Sequence, residues 1–261
     1  MDDSTPLSNP EKLDRFIKRK GTPPPISALT AYDYPVARLL DEAGIEIILV
    51  GDSLGMMVFG HEDTTKVTVE MMVHHTKACR KAVRNAVLVA DLPFHSYEIP
   101  HDAAATAQLL TEAGADAVKL EGGIEIIPQI NAIIHSGIAV MGHIGMLPQR
   151  VREEGGYKKK GKTKIAAQRL LADAAELDAA GVKIIVLENM VADLAGQITA
   201  AVSAPTIGIG AGSDCDGQIL VINDLLGSYP WFSPGFAKSH ADLASETSRA
   251  ARAFIENLPT T

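Results

Sequence analysis

One arrangement occurs three times in the chain: a helix that ends in Ala-Gly, then an apolar strand, then an acidic residue where the strand ends. The three segments are AGIEIILVGDS at 43–53, AGADAVKLEGG at 113–123 and AGVKIIVLEN at 180–189. A fourth strand, AVLVADLPF at 86–94, has an acid at the equivalent position. The four acids are Asp52, Asp91, Glu121 and Glu188. Because the carboxyl ends of parallel strands meet at one end of a β/α barrel, the pattern predicts that these acids converge where such barrels place their chemistry.

Strands and helices alternate along the chain, which is typical of the α/β class. Seven strands are nearly continuous in apolar residues, as expected for a parallel sheet buried on both faces. They are predicted at 26–33, 45–51, 86–90, 116–120, 138–142, 182–187 and 205–209. The eighth unit, at 217–226, reads as a strand, a helix or both. Because the acids are spread along the whole chain, we expect an eight-stranded (β/α)8 TIM-type barrel rather than an open doubly wound sheet, whose site lies at one switch point.

The segments between the strands predict helices that connect them. These helices are expected at 35–42, 67–83, 102–112, 126–135, 165–180 and 192–202, with a final helix at 241–257. No linker or change of composition marks a second domain. We therefore expect a tail with a short helix (10–20) at 1–24, and one barrel domain with a C-terminal helix at 25–261.

Composition and charge narrow the possible partners and the compartment. Hydrophobic residues make up 46% of the chain, enough to fill one large core, and the net charge of −8 argues against nucleic acid or an anionic membrane as a partner. Two distant cysteines, Cys79 and Cys215, form neither a disulfide framework nor a thiolate metal site, which favours a reducing, cytoplasmic compartment. The sequence has neither an N-terminal signal peptide nor an apolar run long enough to predict a membrane span.

Asp52, Asp91 and Glu121 form the candidate metal site. Carboxylates without a His or Cys cluster beside them suit Mg²⁺, which takes oxygen ligands and keeps several waters. Zinc prefers nitrogen or sulfur ligands at recognisable spacings, which the sequence lacks. The alternative is that each acid caps a helix or pairs with a Lys or Arg in its loop. Their recurrence at equivalent strand ends favours the metal.

Three further residues at strand ends are candidates for binding or catalysis. Lys119 lies two positions before Glu121, so both side chains face the barrel interior, where Lys119 either forms a buried ion pair or holds a substrate carboxylate. Glu188 suits a general acid or base because partial burial raises a carboxyl pKa, and an N-cap or a loop salt bridge is the alternative. His143, after the fifth strand, is either catalytic or a hydrogen-bonded structural residue.

Two loop segments also leave alternatives open. Gly208, Gly210 and Gly212 follow the seventh strand, where barrels can bind phosphate, but the same glycines fit a tight turn with close backbone approach. The run YKKKGKT at 157–163 is interpreted either as a solvated, mobile loop or as a positively charged segment that binds the polyanionic tail of a cofactor.

The ordered motifs of the chain resemble the ketopantoate hydroxymethyltransferases, a family of phosphoenolpyruvate/pyruvate-type barrels. The resemblance runs from about residue 28 to residue 227 and rests on TAYDYPVARLLDEAG, LVGDSLGMMVFGHEDT, VTVEMMVHHTKA, ADLPFHSY, AGADAVKLEGG, VMGHIGMLPQ, GGYK, VLE and IGIGAGSDCDGQILVINDLLG. It implies transfer of a hydroxymethyl group from 5,10-methylenetetrahydrofolate to 3-methyl-2-oxobutanoate through a Mg²⁺-stabilised enolate. The product would be 2-dehydropantoate, for pantothenate biosynthesis. The resemblance also implies a large homo-oligomer of the decamer type.

The resemblance implies roles for individual residues, position by position. The metal ligands would be Asp52, Asp91 and Glu121. The substrate-binding residues would be Asp52, Ser53, Asp91 and Lys119, and we place His143 with them. Glu188 matches the proton acceptor.

Three segments depart from the family pattern. Asn-Met-Val at 189–191 replaces a Cys-Val-Pro-like segment, Lys-Lys-Gly at 159–161 replaces Val-Gln-Gly, and Pro-Gly-Phe at 234–236 replaces Pro-Lys-Phe. These departures concern loop closure, folate contacts and subunit packing, whereas every site acid is present. Two alternatives stay open: a Mg²⁺-dependent lyase or aldolase for another 2-oxo acid, and a catalytically silent paralogue.

Overall fold

The chain forms a closed barrel of eight parallel strands in a computed structural model that describes residues 11–232 and 234–259. The strands are β1 (Ile26–Thr30), β2 (Ile47–Val50), β3 (Val87–Asp91), β4 (Ala117–Glu121), β5 (Ala139–Gly145), β6 (Ile184–Glu188), β7 (Thr206–Ile209) and β8 (Gly217–Leu220). Each strand pairs with the next, and β8 pairs back with β1 through contacts such as Ala28 with Ile219. The predicted (β/α)8 barrel is confirmed, and the part of the predicted tail at 1–10 lies outside the described residues.

The helices surround the barrel, and the first of them covers one of its ends. They are α1 (Glu11–Lys18), α2 (Tyr34–Glu42), α3 (Leu54–Met57), α4 (Val69–Arg80), α5 (Pro100–Glu112), α6 (Ile127–His135), α7 (Lys164–Ala180), α8 (Ala192–Ala201), α9 (Ile222–Leu226) and α10 (Leu243–Glu256). The ambiguous segment at 217–226 is both a strand and a helix, since β8 is followed directly by α9.

The first strand is shorter than the sequence predicts. It ends at Thr30 rather than at Asp33, because the Asp33 side chain caps α2 by accepting a hydrogen bond from the Val36 backbone N–H at 2.8 Å. After α2 the chain turns at Gly44, whose φ of +87° permits the left-handed stop that the sequence predicts.

Alternate residues of the strands fill the barrel interior with apolar side chains. This inner cluster contains Ile26, Ala28, Ile47, Leu49, Val87, Val89, Ala117, Ala139, Met141, Ile184, Val186, Ile207 and Ile219. The residues between them face outward and pack against the helices in a second, larger core. Because the inward positions below the carboxyl ends are packed, the barrel offers a solid base on which a site can form.

Helix α1 and the two residues after it lie across the amino ends of the strands. Leu13 and Phe16 are fully buried in the same cluster as the inward-facing strand residues. Four ion pairs join this segment to residues that immediately precede strands: Lys12–Asp116, Asp14–Lys183, Arg19–Glu46 and Lys20–Asp216. The segment therefore covers the end of the barrel opposite to the predicted site.

Two other features bear on the sequence predictions. Cys79 and Cys215 are both buried free thiols. No helix within the described ranges is long and apolar enough to cross a membrane.

Candidate active site

Polar side chains continue the inward-facing register of the strands toward their carboxyl ends. On β3, Asp91 comes two positions after the inward-facing Val89. On β4, Lys119 and Glu121 come two and four positions after the inward-facing Ala117. The strand ladder places Asp91 beside Lys119, and Glu121 beside His143. The same alternation that packs the barrel interior therefore produces a polar layer above it.

A cavity of about 640 Å³ opens at this end of the barrel. The lining includes Asp52, Ser53, Asp91, Lys119, Glu121, His143 and Glu188. The structure thus brings together the seven residues that the sequence placed in the site. Their individual roles in binding, metal coordination and catalysis stay predictions.

Asp52 and Asp91 are neighbours at the base of the cavity. The Asp52 backbone N–H donates a hydrogen bond to Asp91 Oδ2 at 3.0 Å, and both residues are almost fully buried. A Cβ atom at the preceding Gly51 would lie only 3.0 Å from Ser53 Oγ, so the chain passes close to that side chain here. Burial, with the negative charge of Asp91 next in importance, raises the pKa of Asp52 to about 7.

Lys119 is the ammonium group among these acids. Its Nζ lies 3.0 Å from Asp91 Oδ1 and 3.9 Å from Glu121 Oε1. Burial alone would lower the pKa of Lys119, but the charges of Asp91, Glu121 and Asp52 raise it above its usual value, so the group is cationic. The ion-pair alternative for Lys119 is therefore present in the structure, and it leaves the ammonium facing the cavity.

His143 lies between two carboxyl groups. Its Nδ1 is 3.6 Å from Glu121 Oε1, and its Nε2 is 3.2 Å from Glu188 Oε2. Burial and the positive charge of Lys119 lower the pKa of His143 well below its usual value, so the imidazole is neutral. Burial also raises the pKa of Glu188 to about 7, which lets this carboxyl exchange protons near neutral pH.

Ser53 is held by a tyrosine that the sequence analysis did not single out. The Tyr32 hydroxyl lies 2.8 Å from Ser53 Oγ and 3.0 Å from Thr30 Oγ1. Burial raises the pKa of Tyr32 above its usual value, so the phenol keeps its proton. The segment TAYD at 30–33 is part of the family resemblance, but a tyrosine after an apolar strand gives no sign by itself of a contact with the end of the neighbouring strand.

Gln149 and Tyr97 are a second pair that the sequence analysis missed. Gln149 Nε2 donates to Asp52 Oδ2 at 2.7 Å, and the Gln149 backbone N–H donates to Glu121 Oε2 at 3.1 Å. The Tyr97 hydroxyl donates to Gln149 Oε1 at 2.5 Å. Gln149 therefore links two of the predicted metal-site acids. The GMLPQ motif at 145–149 was the one signal that could have pointed to it.

The base of the cavity carries more negative than positive charge, which suits a cation. Four carboxyl groups, those of Asp52, Asp91, Glu121 and Glu188, share this space with one ammonium group, that of Lys119. Glu121 Oε1 is buried and accepts no hydrogen bond from the described residues, whereas Asp91 Oδ1 is paired with the Lys119 ammonium at 3.0 Å. In the same part of the chain, no three His, Cys, Asp or Glu side chains are already gathered as a metal-binding group. Oxygen donors with surplus negative charge fit a hard divalent ion that is held by one or two carboxylates and keeps several waters.

The mouth of the cavity is lined by aromatic residues and by one lysine of the basic loop. Tyr157, Lys159, Phe232 and Phe236 line it. Gly210 turns with a φ of +63°, and a Cβ atom there would lie 2.6 Å from the Phe236 ring, which supports the close-approach alternative for this glycine. In the basic loop, Lys160 forms an ion pair with Glu154 at 2.5 Å.

Sequence comparisons match most of the chain to one protein family and to most of the length of its relatives. The profile of the family described as ketopantoate hydroxymethyltransferase matches residues 11–260. The 3-methyl-2-oxobutanoate hydroxymethyltransferase of Syntrophus aciditrophicus is 49% identical over 246 residues, which cover 94% of this chain and 90% of that protein. The protein of the same name from Trichodesmium erythraeum is 52% identical over 240 residues, with coverage of 91% and 90%.

Solved structures share the fold at low sequence identity. A phosphonopyruvate hydrolase solved with oxalate and Mg²⁺ has a TM-score of 0.65 at 14% identity, covering 97% of this chain and 92% of that one. A phosphoenolpyruvate phosphomutase from Streptomyces platensis has a TM-score of 0.63 at 14% identity, with coverage of 94% and 85%. These structures show that the chain shares their barrel fold. The sequence is more specific: the chain belongs to the ketopantoate hydroxymethyltransferase family and is a one-carbon transferase.

Proposed function

We propose that this chain transfers a hydroxymethyl group from 5,10-methylenetetrahydrofolate to 3-methyl-2-oxobutanoate, giving 2-dehydropantoate for pantothenate biosynthesis. The relatives that bear the corresponding name cover more than 90% of the chain. The observation that carries the proposal is that a cationic lysine, Lys119, and a carboxyl group with a pKa of about 7, Glu188, face one buried cavity. The first can hold the carboxylate of a 2-oxo acid while the second accepts a proton from its C3.

The oxygen-rich base of the cavity is the place for the ion and the oxo acid. Mg²⁺ held by Asp52 and Asp91, with Glu121 beside them, would act as a Lewis acid that draws electron density from the keto group and acidifies C3–H. Phosphonopyruvate hydrolase, a structure of the same fold, was solved with Mg²⁺ and the small dicarboxylate oxalate, which supports this pairing. Ser53, held by Tyr32, presents a hydroxyl to the same space.

Glu188 is the group that removes the proton from C3. Its carboxyl lies at the end of β6, lines the cavity, and is partly exposed, with 16% of its side chain accessible. The neighbouring His143 is neutral, so it does not hold Glu188 in a permanent ion pair. A base with a pKa near the working pH is matched to this proton transfer. Water would add to the methylene carbon that the folate carries, which gives formaldehyde and releases tetrahydrofolate. The carbanion formed at C3 then attacks the formaldehyde carbon, and the resulting alkoxide takes up a proton to give the hydroxymethyl group.

The mouth of the cavity suits the folate co-substrate. Tyr157, Phe232 and Phe236 offer aromatic surface for a pterin ring, and Lys159 offers a positive charge for an anionic tail. These groups lie above the polar base, so the methylene donor would approach the oxo acid from the open side. The barrel holds both reactants in one partly desolvated space, which favours reaction by proximity.

The first experiment follows deuterium exchange at C3 of 3-methyl-2-oxobutanoate by NMR. Protein is incubated in D₂O with Mg²⁺ or with EDTA, and 5,10-methylenetetrahydrofolate is added afterwards. We expect exchange that requires Mg²⁺, followed by a new hydroxymethyl signal once the folate is present. Exchange without transfer would favour the lyase or aldolase alternative. Absence of exchange in folded, metal-saturated protein would contradict the proposal and favour a silent paralogue.

A variant tests the role of Glu188 within the same assay. Glu188→Gln removes the base without changing the shape of the side chain, so we expect exchange and kcat to fall by about 10²–10⁴-fold with Mg²⁺ affinity nearly kept. Glu125→Gln, at an exposed position outside the cavity, is the matched control. Exchange at the wild-type rate in Glu188→Gln would show that another group removes the proton.

The proposal includes a large homo-oligomer of the decamer type. Support comes from the C-terminal part of the chain, where α10 has no buried residue and apolar side chains are exposed. Those side chains are Leu243, Phe254, Ile255 and Leu258. Light scattering coupled to gel filtration measures the mass directly. A monomer at micromolar concentration would contradict this part of the proposal.

A further inference from the structure

Gln149 is the buried side chain that joins the parts of the site to one another. It lies in a short 3₁₀ turn (Pro148–Arg150) after β5, and it is 2% exposed. Its side chain and backbone bond to four residues in three separate segments of the chain, since two of the partners lie in the loop between β3 and α5. The partners are Asp52 Oδ2 at 2.7 Å, the Leu92 carbonyl at 2.9 Å, the Tyr97 hydroxyl at 2.5 Å and Glu121 Oε2 at 3.1 Å.

The surroundings fix the orientation of the Gln149 amide. Its two N–H groups point at two oxygen acceptors, Asp52 Oδ2 and the Leu92 carbonyl. Its carbonyl oxygen accepts from Tyr97, whose phenol keeps its proton because burial raises its pKa above the usual value. A flipped amide would place oxygen against both acceptors. Each of the two N–H groups and the carbonyl oxygen of the side chain therefore has one suitable partner.

The contact fixes one oxygen of Asp52 and leaves the other unconstrained. Asp52 Oδ2 is taken by Gln149, whereas no hydrogen bond from the described residues reaches Oδ1, and the residue lines the cavity. The Gln149 backbone holds Glu121 in the same way through Oε2. One short turn thus sets the positions of two acids that come from β2 and β4.

We propose that Gln149 is a positioning residue for this site, which orients Asp52 and Glu121 so that a divalent cation and a 2-oxo acid can bind. The inference rests on the proposed function for the identity of the oxo acid, but not for the cation. Partners that orient a metal-binding side chain commonly change metal affinity by about 10–100-fold when they are removed. Tyr97 acts on the site indirectly, because its hydrogen bond to Gln149 Oε1 fixes the orientation of the Gln149 amide.

The test compares three variants by calorimetric measurement of Mn²⁺ and Mg²⁺ binding without substrate. Gln149→Leu removes the hydrogen bonds, and Gln149→Glu keeps the shape but sets a carboxylate against Asp52. We expect Mg²⁺ affinity to fall by about 10–100-fold in Gln149→Leu, and further in Gln149→Glu. Tyr97→Phe should give a smaller loss, because both amide donors of Gln149 keep their acceptors. In Gln149→Leu, kcat at saturating Mg²⁺ should recover to within about fivefold of wild type while KM for the oxo acid stays raised.

The matched control is another buried glutamine outside the cavity. Gln129 is 9% exposed and donates to the Glu98 carbonyl at 3.0 Å, so Gln129→Leu should lower thermal stability while Mg²⁺ affinity stays at the wild-type value. Circular dichroism in EDTA checks that each variant is folded.

Two results would overturn the inference. One is wild-type Mg²⁺ affinity in folded Gln149→Leu and Gln149→Glu. The other is a wild-type protein that binds no divalent cation. If the wild type binds Mg²⁺ but transfers no hydroxymethyl group, the proposed function fails while the affinities of the variants still decide the role of Gln149.

Discussion

Because Asp52 is buried, we expect its negative charge to lower the unfolding free energy of the metal-free protein. Burial and the neighbouring Asp91 raise the pKa of Asp52 from 3.8 to about 7. This difference corresponds to at most about 4 kcal/mol of unfolding free energy. Because the folded state binds the proton more tightly than the unfolded state, the penalty grows as the pH rises from 3.8 to about 7 and is complete above pH 7. Asp52→Asn removes the charge, and its amide oxygen can still accept the hydrogen bond from Gln149.

Calorimetric unfolding in EDTA measures this effect. At pH 8 we expect Asp52→Asn to be more stable than wild type by up to about 4 kcal/mol, with a gain in Tm of roughly 2–4 °C for each kcal/mol. At pH 5.5 the gain should fall to about half, because wild-type Asp52 takes up its proton. Saturating Mg²⁺ should raise the Tm of the wild type more than that of the variant, since the variant lacks one oxygen ligand of full charge.

Asp41 supplies a control of the opposite sign. It is also buried, but it accepts backbone hydrogen bonds from Asn85 at 2.9 Å and from Ala86 at 2.8 Å, and its pKa lies below the usual value. Asp41→Asn should therefore destabilise the protein by about 1–3 kcal/mol, equally at pH 5.5 and pH 8. If Asp52→Asn failed to stabilise the metal-free protein at pH 8, or gave a gain independent of pH, the assigned charge state of the site would be refuted.

Four further outcomes are expected. The value of kcat/KM should rise with pH through about 7 because Glu188 must be ionised to act as a base, and it should be about tenfold lower at pH 6 than at the plateau; bound Mg²⁺ shifts the inflection to lower pH, and a flat profile from pH 5 to 8 would contradict the assignment. Tyr32→Phe removes the contact with Ser53, so KM for the oxo acid should rise by roughly fivefold with kcat nearly kept in steady-state assays. Lys159→Glu should raise KM for the folate by about tenfold at low salt and less at high salt, and equal effects at both salt concentrations would argue against a charge contact. Phe16→Ala should lower the unfolding free energy by about 3–5 kcal/mol in urea denaturation, and a loss below 1 kcal/mol would show that the ring is not part of the barrel core.

The barrel could be predicted from the sequence because its signal is local and repeated. A strand buried on both faces shows as an apolar run, and the acid that follows each run marks the carboxyl end of the strand. Asp91, Lys119 and Glu121 could be placed together from strand order and side-chain alternation alone. The segment at 217–226 was ambiguous because a four-residue strand runs into a five-residue helix without a turn signal between them.

The contacts that organise the site could not be predicted in the same way. Gln149 and Asp52 are 97 residues apart, and nothing in a single loop glutamine indicates which acid it will reach. The burial of Phe16 was also missed, because an eight-residue helix before the first strand looks the same whether it covers a barrel or lies in solvent. Both cases depend on where distant segments meet, which local patterns do not encode.

The covering of the barrel floor by α1 has a consequence for the order of events. Leu13 and Phe16 pack below the apolar layers of the barrel. A ligand therefore reaches the acids of the site through the mouth that Tyr157, Phe232 and Phe236 line. A molecule resting at that mouth obstructs anything held beneath it. If the oxo acid binds at Lys119 as proposed, we therefore expect it to bind before the folate and its product to leave after the folate product. A cavity that is closed at one end makes the binding of two reactants ordered. Helix α1 would thus determine the order of binding, although it lies far from both reactants.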